Sequence, residues 1–325
     1  MSRVIKGSLG IFLTAVLGLY SAPVGAEPIT ALTVQNQLIF FDSLTPGSVS
    51  APISISGVVS GDMLVGIDRR PSLGSNNGVL YSVGVSASGS GRVYSVNEAT
   101  GVATAVSTLA ADPTDLTAPF PFTTVQGVQF GIDFNPTVDR LRLTSDTGQN
   151  LRINVDNGLT QLDGPLAYEA GDPRAGMSPA DVAVAYSNNF GGATTTVLRG
   201  VDIASNPDTL VLHSNPNGGA LQTIVSLPFN GMLVSYDISG LTGTPYFAVT
   251  PAGAATSQLF ALGMGGTTLV GGIGGGSSIR GIAAPVGTPV PEPASITLVA
   301  TGIAAALHAR RRRRARMSTP EELAG

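Results

Sequence analysis

Along the middle of this chain, apolar residues alternate with small or polar ones in short runs, each closed by Asn, Asp or Gly. Period-two alternation over four to eight residues predicts strands, and a polar turn between two such runs predicts a hairpin. Residues 38–42, 93–97, 152–156 and 259–263 carry this pattern, and 210–215 repeats it with a longer turn through 216–219. A further strand precedes each of them, at 29–34, 79–83, 140–144, 194–201 and 245–249. Upstream again, four of the five units hold a Gly-rich or small-residue apolar strand, at 63–68, 128–133, 182–186 and 232–237. The first unit lacks it, and a matching strand, 279–284, stands unpaired at the far end.

That offset predicts a ring. Four-stranded sheets repeated about an axis leave only short edges, and the ring closes when one sheet takes strands from both ends of the domain. Small residues on the upstream strand suit the innermost position, where backbones crowd the axis. The repeat runs to roughly 53 residues, slightly above the ~40–50 usual for propeller blades. The expectation is therefore all-β: a β-propeller of five four-stranded blades closed by N- and C-terminal strands. The competing arrangements are six blades, with a degenerate one in 102–127, and a pair of β-sandwiches.

Composition agrees with turn-rich β structure, with 42 Gly, 22 Pro and only 12% charged residues. The absence of Cys excludes disulfides, thiol nucleophiles, iron–sulfur clusters and Cys-based zinc sites. Between residues 27 and 290 there are nine Arg, no Lys and 18 acidic residues. This predicts an acidic, soluble surface, unsuited to nucleic acid or anionic lipid.

The two ends read as targeting devices. Arg3 and Lys6 precede an apolar run over 9–20, and the small residues Val24, Gly25 and Ala26 form a cleavage site after Ala26. At the other end Pro285, Pro289, Pro291 and Pro293 stiffen a linker, followed by an apolar stretch and the cluster Arg310, Arg311, Arg312, Arg313 and Arg314. Apolar residues followed by arginines predict a short membrane segment with its C-terminal side cytoplasmic, marginal for a ~30 Å hydrocarbon core.

Pro291, Glu292 and Pro293, the apolar run and the arginines together resemble the PEP-CTERM sorting signal. The resemblance implies recognition by an integral-membrane exosortase and removal of the segment on export. A tail at 315–325, longer than such signals usually carry, departs from the pattern. The repeat, with its segments 94–101 and 131–136, also resembles the bacterial secreted family called domain of unknown function 4394, over roughly residues 29–285. That second resemblance implies a fold and no catalytic residues.

Little in the core matches known chemistry. Residues 84–88 begin like a nucleophile elbow but lack the closing Gly. His213 is the only His of the core, which excludes a His-based zinc site, and beside a turn it reads as an ordinary surface or packing residue. Residues 154–158 resemble the start of a calcium loop but lack its later acid, so a hairpin turn is the better reading. The glycines at 263–266 and 271–276 lack phosphate-loop spacing and read as turns. Arg69, Arg70, Arg140 and Arg142 read as partners of local acids. Asp68, Asp133 and Asp237 recur at the ends of the inner strands. They either cap exit turns by accepting backbone N–H groups or converge on a mouth of the channel as a cation or acid–base set.

The expected organisation is a signal peptide at 1–26, the propeller-like domain at 27–284 and a Pro-rich linker at 285–293. A short transmembrane helix at 294–309 and a basic cytoplasmic tail at 310–325 complete it. The leading functional expectation is a non-catalytic binding or structural propeller, exported as a membrane-associated precursor to the cell surface or beyond. It calls for no cofactor and no metal. The partners expected are signal peptidase and exosortase during export, then extracellular polysaccharide or surface proteins, with transient membrane contact and no nucleic acid. The alternative is a secreted polysaccharide hydrolase or lyase that uses channel carboxylates.

Overall fold

The computed structural model describes residues 25–116 and 118–288. These form five sheets, each built outward from an inner strand: Ile279–Ala283, Asp62–Arg69, Phe130–Asn135, Asp181–Tyr186 and Gly231–Ile238. Each inner strand lies against the inner strands of the two neighbouring sheets, so the five surround one axis. The architecture is a five-bladed β-propeller, and the described residues contain no helix. The segment expected to cross the membrane lies outside the described residues.

Closure is direct. Ile279–Ala283 pairs antiparallel with Pro28–Thr33, setting Thr30 opposite Ala283 and Leu32 opposite Gly281, and Gln37–Asp42 and Ile53–Ser54 complete this first blade. The register slips between Leu32 and Thr33, leaving Arg280 as an extra residue on the inner strand.

Two blades depart from the four-stranded expectation. Ala110–Ala111 adds in parallel to Leu159–Leu162 at the outer edge of the third blade, and Ala167–Tyr168 does the same to Ala220–Ser226 in the fourth. Each added strand comes from the connection leaving the preceding blade, so it covers an exposed edge and ties two blades together. The 102–127 stretch therefore forms no sixth blade. It supplies the outer strand Ala103–Thr108, the added strand, and a connection that buries Leu109, Phe122 and Val125.

Burial falls from axis to rim. Asp181–Tyr186 is buried at every position, while Ala103–Thr108 and Ala220–Ser226 are largely exposed. Small residues make the close inner packing possible: a Cβ on Gly131 would lie 2.8 Å from the Ala183 Cα of the next blade. Arginines also join blades, rather than pairing only with local acids. Arg70 reaches Asp139 and Asp156 of the third blade, at 2.6 and 2.7 Å, and Arg142 bonds Asp163 in its own blade and Asn217 in the next. Asp156 belongs to the 154–158 turn, where Gly158 has φ of 77° and its N–H donates to the Asn154 carbonyl. Eight of the 18 core acids are buried, so the surface is much less acidic than the composition suggests.

Candidate functional site

The repeat registers the inner strands so that equivalent residues form layers down the axis. Val65, Phe130, Val182, Val234 and Arg280 make one layer near the upper mouth, and all five line one cavity of about 160 Å³. Below them Gly66, Gly131, Ala183, Ser235 and Gly281 line a throat of only about 10 Å³. Two residues further along each strand stand Asp68, Asp133, Ala185, Asp237 and Ala283. The structure thus brings together the three recurring acids, each buried to 2% exposure or less, with one carboxylate oxygen from each within 4.8 Å of the others.

What those carboxylates do follows from the backbone. The residue after each layer position (Arg69, Phe134, Tyr186, Ile238 and Ala284) directs its N–H toward this level, and each of the five is accepted by a carboxylate. Asp68 accepts from Phe134 of the next blade at 2.7 Å, Asp133 from Tyr186 at 2.9 Å, and Asp237 from Ala284 at 2.6 Å. Two blades carry Ala at the acidic position, Ala185 and Ala283, and cannot reach forward in this way. In the blades that follow them, Asp237 and Asp68 use their other oxygen for the N–H of their own successors, Ile238 and Arg69, both at 2.6 Å. Three carboxylates thereby satisfy five N–H groups, and the one oxygen left without a partner is Asp133 Oδ1. A buried N–H without an acceptor costs ~1–3 kcal/mol, so this ring is a large local contribution to holding the blades together.

The cost is electrostatic. Burial pushes the Asp68 carboxyl up to about 7, partly offset by the N–H groups of Phe134 and Arg69. Asp133 is raised well above the usual carboxylate range, first by burial and then by the charges of Asp68 and Asp237. Asp237 is raised by burial and by Asp68. Carboxylates this close cannot all ionise together, so the cluster needs either protons or a hard cation, which oxygen-only donors would suit. On the lower side the chain's exit crosses the floor beneath the triad: Pro285 accepts from Gly240 N–H and Gly287 donates to the Asn189 carbonyl, both at 2.8 Å.

The remaining sequence candidates lie elsewhere. His213 is fully buried in the fourth blade, its Nε2 2.8 Å from Asp181 Oδ2. The neighbouring Ser214 hydroxyl turns away to Glu169, and among the described residues no group hydrogen-bonds the other imidazole nitrogen, Nδ1. Burial raises the Asp181 carboxyl while His213 draws it down. Gly200 makes room for this pair, since a Cβ there would sit 2.1 Å from Asp181 Oδ1. Ala26 is exposed and the next residue, Glu27, is buried, donating its N–H to Ser43 Oγ and accepting from Ser239 Oγ. Pro291, Glu292, Pro293 and the arginines 310–314 lie outside the described residues.

Sequence reasoning passed over Arg280. The signal was present: at the layer position where four units carry Val or Phe, the fifth carries Arg. Aligning the orphan strand 279–284 with the other four exposes the substitution.

Comparisons with known proteins place the chain by family and by fold. No curated protein matches it in sequence. Similar solved structures include TolB from Acinetobacter baumannii (11% identity, TM-score 0.40, covering 76% of this chain and 53% of that one). The Aleuria aurantia lectin is 14% identical at a TM-score of 0.39, covering 75% of this chain and 73% of its own. An aldose sugar dehydrogenase from Streptomyces coelicolor is 16% identical at 0.39, covering 82% and 84%. This chain thus spans about half the length of TolB. Residues 289–313 match the PEP-CTERM protein-sorting motif, which marks an exported protein and implies exosortase processing of an envelope-associated precursor. Residues 37–283 match the domain of unknown function 4394 along nearly the whole propeller, and the chain belongs to that family.

Proposed function

We propose that this exported protein is a non-catalytic binding or structural propeller, released to the cell surface or the extracellular space once its C-terminal segment is removed. The observation that carries this reading is the use of the axial acids. Glycoside chemistry needs two carboxyl groups about 5–10 Å apart with a substrate between them. Here the three acids sit closer than that, lack solvent exposure, and have five of their six oxygens on backbone N–H groups. That favours a structural role for the triad over the hydrolase or lyase alternative.

Processing at both ends belongs to the same reading. The exposed Ala26 beside the buried Glu27 supports a folded domain that begins at Glu27. Intact-mass measurement on the exported protein tests it: the expected mass begins at Glu27 and lacks Arg310 to Arg314. Replacing Pro291, Glu292 and Pro293 by alanines should trap a longer membrane-associated form. A released form that retains the arginines would overturn the proposal. A screen of the exported protein against extracellular polysaccharides, scored for both binding and turnover, tests the non-catalytic part, and turnover lost on substituting Asp133 would sink it.

A further inference from the structure

The upper mouth of the channel has a feature that the fold does not require. Its lining layer is apolar in four blades, with Val65, Phe130, Val182 and Val234, and cationic in one, with Arg280. Structural roles in a repeat protein recur at equivalent positions, as the acids below do, whereas recognition breaks the symmetry. Arg280 is also the extra residue of the bulge that closes the first blade, and bulges re-aim the side chain they carry. Its guanidinium donates to the Asn36 side-chain oxygen and to the carbonyls of Leu64 and Val34 at 3.1–3.3 Å. None of these partners carries a charge. Among the described residues no carboxylate forms an ion pair with it, and burial draws its pKa below the usual arginine value with no acid opposing the shift. Gln129 of the third blade also lines this cavity, with its own amide oxygen buried and without a donor.

From this arrangement we propose that the channel mouth binds a small carboxylate with a compact apolar body. Arg280 holds the anionic end, and Val65, Phe130, Val182 and Val234 enclose the body. A partly buried guanidinium without a counter-ion is a ready partner for a carboxylate, which matches its planar fork. Size limits the ligand. A cavity of about 160 Å³ compares with the ~150 Å³ apolar cavity that accepts benzene, so the body spans about six heavy atoms, as a free acid or the terminus of a longer chain. The throat below, at about 10 Å³, stops the ligand above the acids, which keeps two like charges apart. This inference rests on reading the exported propeller as a binding module. It stands or falls separately from the export reading, which intact mass decides.

The test uses the exported protein with 4-methylpentanoate as probe and 4-methylpentanol as its uncharged counterpart, followed by titration calorimetry and ligand-observed NMR. The acid should bind at least about tenfold more tightly than the alcohol, the range expected of a charge-assisted pair. Arg280→Val installs the residue type of the equivalent positions and should keep the fold while erasing the preference for the acid. Arg280→Lys, which keeps the charge but loses the fork, should retain part of it. Equal binding of acid and alcohol by the unaltered protein, or no binding of either up to about 50 mM, would overturn the proposal. So would undiminished acid binding by a folded Arg280→Val variant. Should that variant not fold, the acid–alcohol comparison on the unaltered protein still decides.

Discussion

Substituting Asn for Asp at the three axial positions should give three unequal results, and the inequality follows from which oxygens are in use. Asp68 and Asp237 each accept two backbone N–H groups, one per oxygen. Asn keeps one acceptor and turns an NH2 group toward the second N–H, leaving a buried donor unpaired at ~1–3 kcal/mol. Removing a costly buried acid offsets part of this, so Asp68→Asn and Asp237→Asn should each lose about 1–2 kcal/mol. Asp133 accepts only from Tyr186, and its Oδ1 has no partner. Asn there keeps the Tyr186 bond, places a donor beside the neighbouring carboxylates and removes the most crowded charge. Asp133→Asn should therefore be neutral or stabilising by up to about 1 kcal/mol. Asp68→Ala, which orphans both Arg69 and Phe134, should exceed Asp68→Asn by about 1–3 kcal/mol. Urea unfolding of the exported protein at neutral pH with chelator present gives all four values under metal-free conditions. Equal losses at the three positions, or the largest loss at Asp133, would refute the N–H ring as the reason for the acids.

Three other outcomes follow from the same geometry. A chain ending before Ile279 lacks the inner strand of the first blade and should lose its cooperative unfolding transition; a melt like that of the intact protein would mean the ring does not depend on closure. Gly131→Ala forces a Cβ to 2.8 Å from the Ala183 Cα, so thermal unfolding should show a loss of about 1–3 kcal/mol, and an unchanged midpoint would mean that the inner strands pack less tightly than described. Asp208 is buried with one oxygen unpartnered, and burial raises its carboxyl to about 7 despite the Gly231 N–H. Its contribution is full below the unfolded value of 3.8 and is lost as pH rises toward 7, to the order of 4 kcal/mol. Asp208→Asn should flatten that part of the pH–stability curve and be more stable than the parent at pH ~8, measured against the parent across the same range.

Most of the ring was legible in the sequence because its cause is periodic. The Gly-rich strands at 63–68 and 128–133 announce the axis, and the orphan at 279–284 announces closure. The two added strands, Ala110–Ala111 and Ala167–Tyr168, could not be read: two residues make no period, and only the neighbouring edge gives them a partner. The acids were legible as a recurring set, but not the use of each oxygen. That depends on which blade lacks an Asp, a fact about neighbours in space. His213 reads from the sequence as a surface or packing residue, and its partner could not be read because Asp181 lies on a strand two positions away in the sheet. Arg280 escapes a reading by recurrence because it is the one departure at its level.

That last omission reflects how a repeat divides its labour. At the level of the acids, Ala185 and Ala283 break the pattern, yet the lost acceptors are restored by Asp237 and Asp68 within the following blades, so the chemistry at that level remains closed. At the mouth, Arg280 breaks the pattern and nothing restores neutrality: its three acceptors are uncharged and the four equivalent side chains are apolar. Compensated asymmetry belongs to stability, and uncompensated asymmetry leaves a free energy for a ligand to gain. The two ends of the domain add an orientation. Glu27 and the exit segment through Gly287 both contact the Ser239–Gly240 turn, on the face opposite the mouth. A precursor held by the segment that follows Gly287 would therefore turn its floor toward the membrane and its charged mouth outward. A protease or label that reaches Val128 on the mouth side before Leu241 on the floor, in the membrane-held precursor but not in the released form, is the expected result. Equal access to the two in the precursor would refute that orientation.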